Sequence, residues 1–158
     1  MSNPKWFKYE WIWDKVLPVG HLVAKKRPMA RHENILVFYK NAPTYNPQMV
    51  LRDKPRIVKK SIGKGNTVHM NHIQTTDYEV KLDSRYPTTL IVESNSKRTK
   101  QHPTQKPVPL LEYLIKTYTN DGETVLDNTC GSGSTGVAAV NLNRNFIGME
   151  MDDNYFEI

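Results

Sequence analysis

The chain has 158 residues with 38% hydrophobic and 24% charged side chains and a mean hydropathy of −0.62. That length fits one domain of the usual ~100–150 residues and is too short for a doubly wound enzyme with a separate substrate domain. Residues 1–106 hold 20 Lys and Arg against 8 Asp and Glu, and residues 107–158 hold 2 against 8, so a +12 part precedes a −6 part.

No apolar run approaches the ~18 residues of a bilayer span. The opening MSNPKWFKYEW lacks a basic stretch followed by an apolar one, so no secretory signal is expected. One cysteine, Cys130, makes neither an internal disulfide nor a zinc cluster. A soluble, reduced, cytoplasmic protein without a metal site or membrane contact is the expectation. The charge split suggests a basic part facing a polyanion and an acidic part binding something else. A merely solvated basic surface is the alternative.

In chain order, KWFKYEWIWDK (5–15) alternates around Trp6, Tyr9, Trp11 and Trp13 and predicts a strand. Leu17, Pro18, Val19 and Gly20 predict a turn, and 24–33 a polar basic connection. The apolar run 35–39 predicts a strand buried on both faces. Residues 40–104 hold five prolines and a crowd of cations at Arg52, Lys54, Arg56, Lys59, Lys60 and Lys64. They predict an irregular, partly mobile insertion with short strands at 78–82 and 88–93. Disorder over 52–76 without a ligand is the competing expectation.

Val108, Leu111, Leu114, Ile115 and Tyr118 recur at helical spacing. Thr104 precedes that helix, Pro107 opens it and Asn120, Asp121 and Gly122 end it. A strand at 124–127, a glycine-rich turn, a helix at 134–141 and a strand at 146–150 complete a β-turn-α-β unit.

The turn Gly131-Ser132-Gly133-Ser134-Thr135-Gly136 matches G-x-G-x-x-G, and Glu150 follows at the end of the next strand. In this setting the pattern signals nucleotide binding, with Glu150 placed to accept hydrogen bonds from ribose hydroxyls. A pyrophosphate at the helix start would meet Asp127, a second anion. S-adenosylmethionine carries no phosphate, and its sulfonium and ammonium suit an acid there. No second mononucleotide half follows, which favours S-adenosylmethionine over a nicotinamide. A purely structural glycine turn is the remaining alternative, and Cys130 reads as a packing residue.

The run HPTQKP (102–107), the helix, VLDNTCGSGSTGVAAV (125–140) and NFIGMEMDDNYFEI (145–158), in that order, resemble the bacterial and phage DNA amino-methyltransferases. KYEWIWDK, AKKRPMARHENILVFYK and PTYNPQM upstream resemble the same family. The resemblance implies an α/β fold, part of the Rossmann-like S-adenosylmethionine-dependent methyltransferase sheet, with an irregular basic target-recognition insertion. It divides the chain into sheet strands at 1–40, a target-recognition region at 41–101 and a cofactor-binding β-α-β region at 102–158. It implies transfer of a methyl group to adenine N6 or cytosine N4 of double-stranded DNA. Thr104 and Lys106 would lie at the methionine end of the cofactor. Asp127, Thr129, Gly131 and Gly133 would line methionine and ribose, Glu150 would hold the ribose and Met151 or Asp152 would lie near the adenine. The same HPTQKP residues would serve equally well as a helix cap.

The family's catalytic tetrapeptide, a polar residue followed by Pro-Pro and an aromatic, holds the target amino group of a flipped base. This sequence contains no Pro-Pro. No catalytic residue is therefore assigned, and the expectation is an inactive chain, completed by another chain or by self-association. A non-catalytic DNA-binding module or remnant is the alternative. Phosphate contacts are expected from Lys25, Lys26, Arg27 and Arg31 and from Arg52, Lys54, Arg56, Lys59, Lys60 and Lys64. The strands at 7–13 and 35–39 and those of the cofactor unit would flank missing strands, leaving unpaired sheet edges.

Overall fold

A computed structural model describes residues 4–61, 77–95 and 105–157. It contains β1 (Phe7–Val19), a short 3-10 helix (His21–Val23), β2 (Ala30–Phe38), β3 (Val50–Ser61), β4 (Asp77–Arg85) and β5 (Leu90–Val92). These are followed by α1 (Val108–Tyr118), β6 (Thr124–Asp127), α2 (Ser134–Asn141), β7 (Asn145–Gly148) and α3 (Asp153–Phe156). The chain forms two compact units, one of Met1–Gln48 with Thr88–Ile158 and one of Met49–Pro87. Residues 41–48 and 88–95, grouped with the insertion in the sequence reading, thus fall in the larger unit.

In the larger unit β1 lies between β2, antiparallel, and β5, parallel. Side chains alternate across a strand, so Tyr9, Trp11 and Trp13 share one face. That face packs on α1: Trp11, Trp13, Ile91 and Leu110 are buried, with Tyr113, Leu114 and Tyr118 against them. Residues three and four apart on α1 put Val108, Leu111 and Ile115 on another stripe. This stripe packs with Ala138, Ala139, Val125, Leu142 and Phe146. Beneath it β6 and β7 form a separate parallel pair. One helix therefore packs against two sheets, β2-β1-β5 on one side and β6-β7 on the other.

The tyrosine hydroxyl at the end of α1 is part of this core. Trp11 Nε1 donates to Tyr118 Oη at 2.6 Å, and the Tyr9 and Tyr118 hydroxyls are 2.8 Å apart. Burial, then the Tyr9 hydroxyl, push the Tyr118 phenol well above its usual range. Tyr118→Phe would leave the indole N–H of the buried Trp11 without its acceptor. Stability is expected to fall by about 1–3 kcal/mol, read from the denaturant midpoint. An unchanged midpoint would mean water replaces the hydroxyl.

Several expectations are corrected. β1 runs on through Leu17–Val19, and the turn narrows to Gly20 at φ 101°. β1 bends instead at Val16, φ 66°, where Asp14 Oδ1 accepts the Val16 N–H at 2.8 Å. β2 begins at Ala30, inside the expected basic connection, and its burial alternates, with Leu36 and Phe38 exposed. It therefore covers one face, not two. Pro107 is the N-cap of α1 and no side chain caps the helix start. Thr104 lies outside the described residues.

The smaller unit is a β3–β4 hairpin: β4 contains the strand expected at 78–82, while β3 lies where irregular chain was expected. Pro55 and the lysines suggested a loop, but Pro55 sits in a bulge. Between the pairs Leu51–Ser84 and Arg56–Leu82 the ladder is interrupted, and there a residue without an N–H loses no bond. Disorder over 52–61 is thereby corrected, while 62–76, with Lys64, lie outside the described residues.

Candidate functional site

The ends of β6 and α2 and the segment leading into α1 enclose a cavity of about 310 Å³. It is lined by Gln105, Lys106, Leu111, Asp127, Thr129, Cys130, Gly131, Ser132, Ser134 and Thr135. The turn between β6 and α2 is shaped by glycine. Gly131 and Gly133 have φ of 54° and 73°, a region that side chains with a Cβ avoid. Two further glycines let the unit close. A Cβ on Gly136 would meet the Phe146 ring at 2.8 Å, and one on Gly148 would meet it at 2.7 Å.

Asp127 sits at the cavity with its carboxylate fixed by two donors. Oδ1 accepts the Thr129 N–H at 3.1 Å and Oδ2 accepts the Thr135 hydroxyl at 2.6 Å. Glu150 does not line the cavity. Its Oε2 accepts the Gly131 N–H at 2.8 Å, and its Oε1 accepts those of Met151 and Asp152 at 3.0 and 3.1 Å. It thereby braces the glycine turn. Met151 is almost fully exposed, and neither it nor Gly133 lines the cavity. The structure thus brings Lys106, Asp127, Thr129 and Gly131 together at one surface and sets Glu150 one contact behind them.

Lys106 approaches from the other sheet's side. Its Nζ donates to Glu33 Oε2 at 2.7 Å and lies 5.5 Å from the Trp13 ring centre. Lys15, buried on β1, donates to Glu33 Oε1 at 3.3 Å. Burial pushes the Glu33 carboxyl up, but Lys106 and then Lys15 outweigh it and hold the group below its usual range. Lys15, Glu33, Leu111 and Thr135 were given no site role from the sequence. Gln105 and Thr135 lie inside the HPTQKP and G-x-G-x-x-G runs, Leu111 carried only its helical spacing, which spoke for packing, and Lys15 and Glu33 carried no signal.

The expected phosphate-binding residues divide. Lys25, Lys26 and Arg27 are exposed on the connection before β2. Arg31 is engaged: its Nε and Nη2 fork onto Asp14 at 2.8 and 2.9 Å. That hydrogen bond, with the Val16 N–H, holds the Asp14 carboxyl low. In the smaller unit Arg52, Lys54 and Arg85 gather with Asp53 around a hollow of about 550 Å³ at the bulge. Lys59 pairs loosely with Glu79 at 3.7 Å, and Arg56 and Lys60 are exposed.

Among the described residues no three His, Cys, Asp or Glu side chains gather as a metal site, and no helix is long and apolar enough to cross a membrane.

The sequence model of a DNA methylase family, N6_N4_Mtase, matches residues 2–158. Type II methyltransferase M.HindIII of Haemophilus influenzae is 33% identical over 140 residues, covering 89% of this chain and 42% of that protein. Type II methyltransferase M2.DpnII of Streptococcus pneumoniae is 48% identical over 58 residues, 37% of this chain and 22% of that one. Among solved structures, the M1.HpyAVI-SAM complex aligns with a TM-score of 0.60 at 28% identity, covering 96% of this chain and 59% of that one. The cytosine-N4-specific PvuII DNA methyltransferase aligns at 0.65 and 20% identity, covering 94% and 49%. The chain spans less than half the length of these curated relatives. The alignments show a methyltransferase-type α/β fold.

Proposed function

Since the chain belongs to the DNA methylase family matched over residues 2–158, we propose that it forms the S-adenosylmethionine-binding and DNA-contacting part of a DNA amino-methyltransferase. The enzyme acts in the cytoplasm on adenine N6 or cytosine N4 of duplex DNA. The observation that carries the reading is the charge pattern of the cavity. Its described lining holds one acid, Asp127, and one base, Lys106. An amino-acid moiety presents the matching pair, an ammonium for Asp127 and a carboxylate for Lys106. A volume of about 310 Å³ also falls in the small-molecule range of ~300–1,000 Å³. A pyrophosphate would find a carboxylate where it needs donors.

When bound, S-adenosylmethionine supplies a methyl group on a sulfonium. Around it Asp127, Thr129, Gly131 and Gly133 line the methionine and ribose, and Lys106 faces the carboxylate, the end to which the family resemblance also assigns Thr104. Glu150, bonded to the Gly131 amide, holds the ribose hydroxyls, and Met151 or Asp152 flanks the adenine. In the smaller unit, β3 and β4 carry the target-recognition role assigned to 41–101. Residues 1–40 belong to the sheet and 102–158 to the cofactor part. With no Pro-Pro in the sequence, the group that holds the target amine comes from another segment or chain, and this chain alone does not methylate DNA. Calorimetric titration tests the cofactor. S-adenosylmethionine is expected to bind and NAD not to, and tighter binding of NAD would overturn the reading.

DNA binding has its own test. Lys25, Lys26 and Arg27 and the cations of the hairpin contact phosphates, with Arg31 restrained by Asp14. Each neutralised phosphate releases counterion, so log affinity should fall against log salt with a slope of about −0.9 per contact. Because phosphate contacts carry no sequence information, Lys59→Glu with Lys60→Glu should weaken binding to two unrelated duplexes alike. A flat salt dependence would leave the basic part a solvated surface.

A further inference from the structure

We infer that Glu33, on β2, is a positioning residue for the cofactor cavity, acting through Lys106. The inference rests on the cofactor reading above and extends it to a residue outside the cavity wall. Lys106 is the cavity's described cation, yet it lies on the segment before α1, whose helix start has no side-chain cap. A lysine there has four rotatable bonds and a large rotamer entropy to lose. Two contacts fix it: the 2.7 Å bond to Glu33 Oε2 and the Trp13 ring beneath its ammonium.

Each contact is itself anchored. Trp13 is 1% exposed and its Nε1 donates to the Glu93 carbonyl at 2.8 Å. Trp13 and Glu33 stand opposite each other in the β1–β2 register, so ring and carboxylate reach Lys106 from adjacent strands. The second oxygen of Glu33 accepts from Lys15, which is 4% exposed. The buried Lys15 therefore holds the carboxylate in place, and the carboxylate holds Lys106. Two cations share one acid, so a net positive charge remains beside the cavity. The triad thereby offers an anionic ligand group a cation whose position is already set.

The test compares four proteins: wild type, Lys106→Met, the pair Lys15→Met with Glu33→Gln, and all three together. The paired substitution avoids stranding the buried Lys15 ammonium, which Glu33→Gln alone would do. Glu33→Asp, which keeps the negative charge but draws the carboxylate back from both lysines, supplies a second comparison. Affinity for S-adenosylmethionine is measured by calorimetry, with melting temperature alongside. Lys106→Met, the pair and Glu33→Asp should each weaken binding roughly two- to fivefold, the range of a partly exposed ion pair. The triple variant should bind no worse than Lys106→Met. An effect through general destabilisation would instead repeat in the Lys106→Met background. That repetition, or unchanged binding by both the pair and Glu33→Asp, would overturn the positioning role and leave the cofactor reading intact. Wild type failing to bind S-adenosylmethionine would overturn both.

Discussion

Replacing Glu150 by alanine is expected to weaken S-adenosylmethionine binding by roughly ten- to a hundredfold. The carboxylate accepts the backbone N–H groups of Gly131, Met151 and Asp152, which ties the glycine turn to the entry of α3. A hydrogen bond to a charged group is worth ~1.5–3 kcal/mol, and 1.4 kcal/mol is tenfold in affinity. Two routes lead to the same loss, and an analogue lacking the ribose hydroxyls separates them. If Glu150 holds the ribose, wild type discriminates against the analogue and the variant does not. If Glu150 acts by bracing the turn, both ligands lose affinity equally. Calorimetry giving one affinity for variant and wild type would remove Glu150 from the site.

The difference between those routes marks how far the sequence could be read. G-x-G-x-x-G followed by an acid locates the turn, because left-handed φ at Gly131 and Gly133 is a local backbone requirement visible in residue type. The spacing of Val108, Leu111, Leu114, Ile115 and Tyr118 locates α1 for the same kind of reason. Which way a carboxylate faces is not local. Glu150 turns to the Gly131 amide because the parallel pairing of β6 and β7 sets the end of one beside the turn after the other. Likewise Glu33 and Lys106 are 73 positions apart, and nothing in either neighbourhood announces the partner. Arg31 illustrates the reverse error. It reads as a free cation among cations, but the bend of β1 at Val16 presents Asp14 to it as a fork-shaped acceptor.

The first strand of the hairpin, β3, was hidden by composition, while β4 was expected at 78–82. Its cations and Pro55 look like solvated loop, yet cross-strand pairs such as Val58 with Val80 and Lys59 with Glu79 supply β-type contacts on both faces. With both faces largely exposed, the alternation that reveals a half-buried strand is absent from the sequence. A reading by hydrophobic period therefore passes over β3.

Trp13→Ala is expected to have the largest effect on folding, a loss of about 3–5 kcal/mol. Trp13 is 1% exposed in the cluster with Trp11, Ile91 and Leu110, and alanine there leaves a void that the ladder on either side of β1 prevents from collapsing. The Glu93 carbonyl loses its indole donor as well. Native domains hold ~5–15 kcal/mol in all, so the larger unit should unfold at a markedly lower denaturant concentration. The hairpin has its own pairing and no residue in that cluster, but a two-stranded hairpin with exposed faces is marginal in water, so its β-signal should be lost ahead of the wild-type larger unit, at a midpoint that Trp13→Ala does not shift. Denaturant titration followed at once by tryptophan fluorescence and far-UV circular dichroism tests this, because all three tryptophans lie in the larger unit. Coincident loss of both signals at the shifted midpoint would show that the two units fold as one. An unshifted fluorescence midpoint would show that the α1 packing survives without Trp13, and the centre of the fold would then lie on the β6–α2–β7 side of the helix.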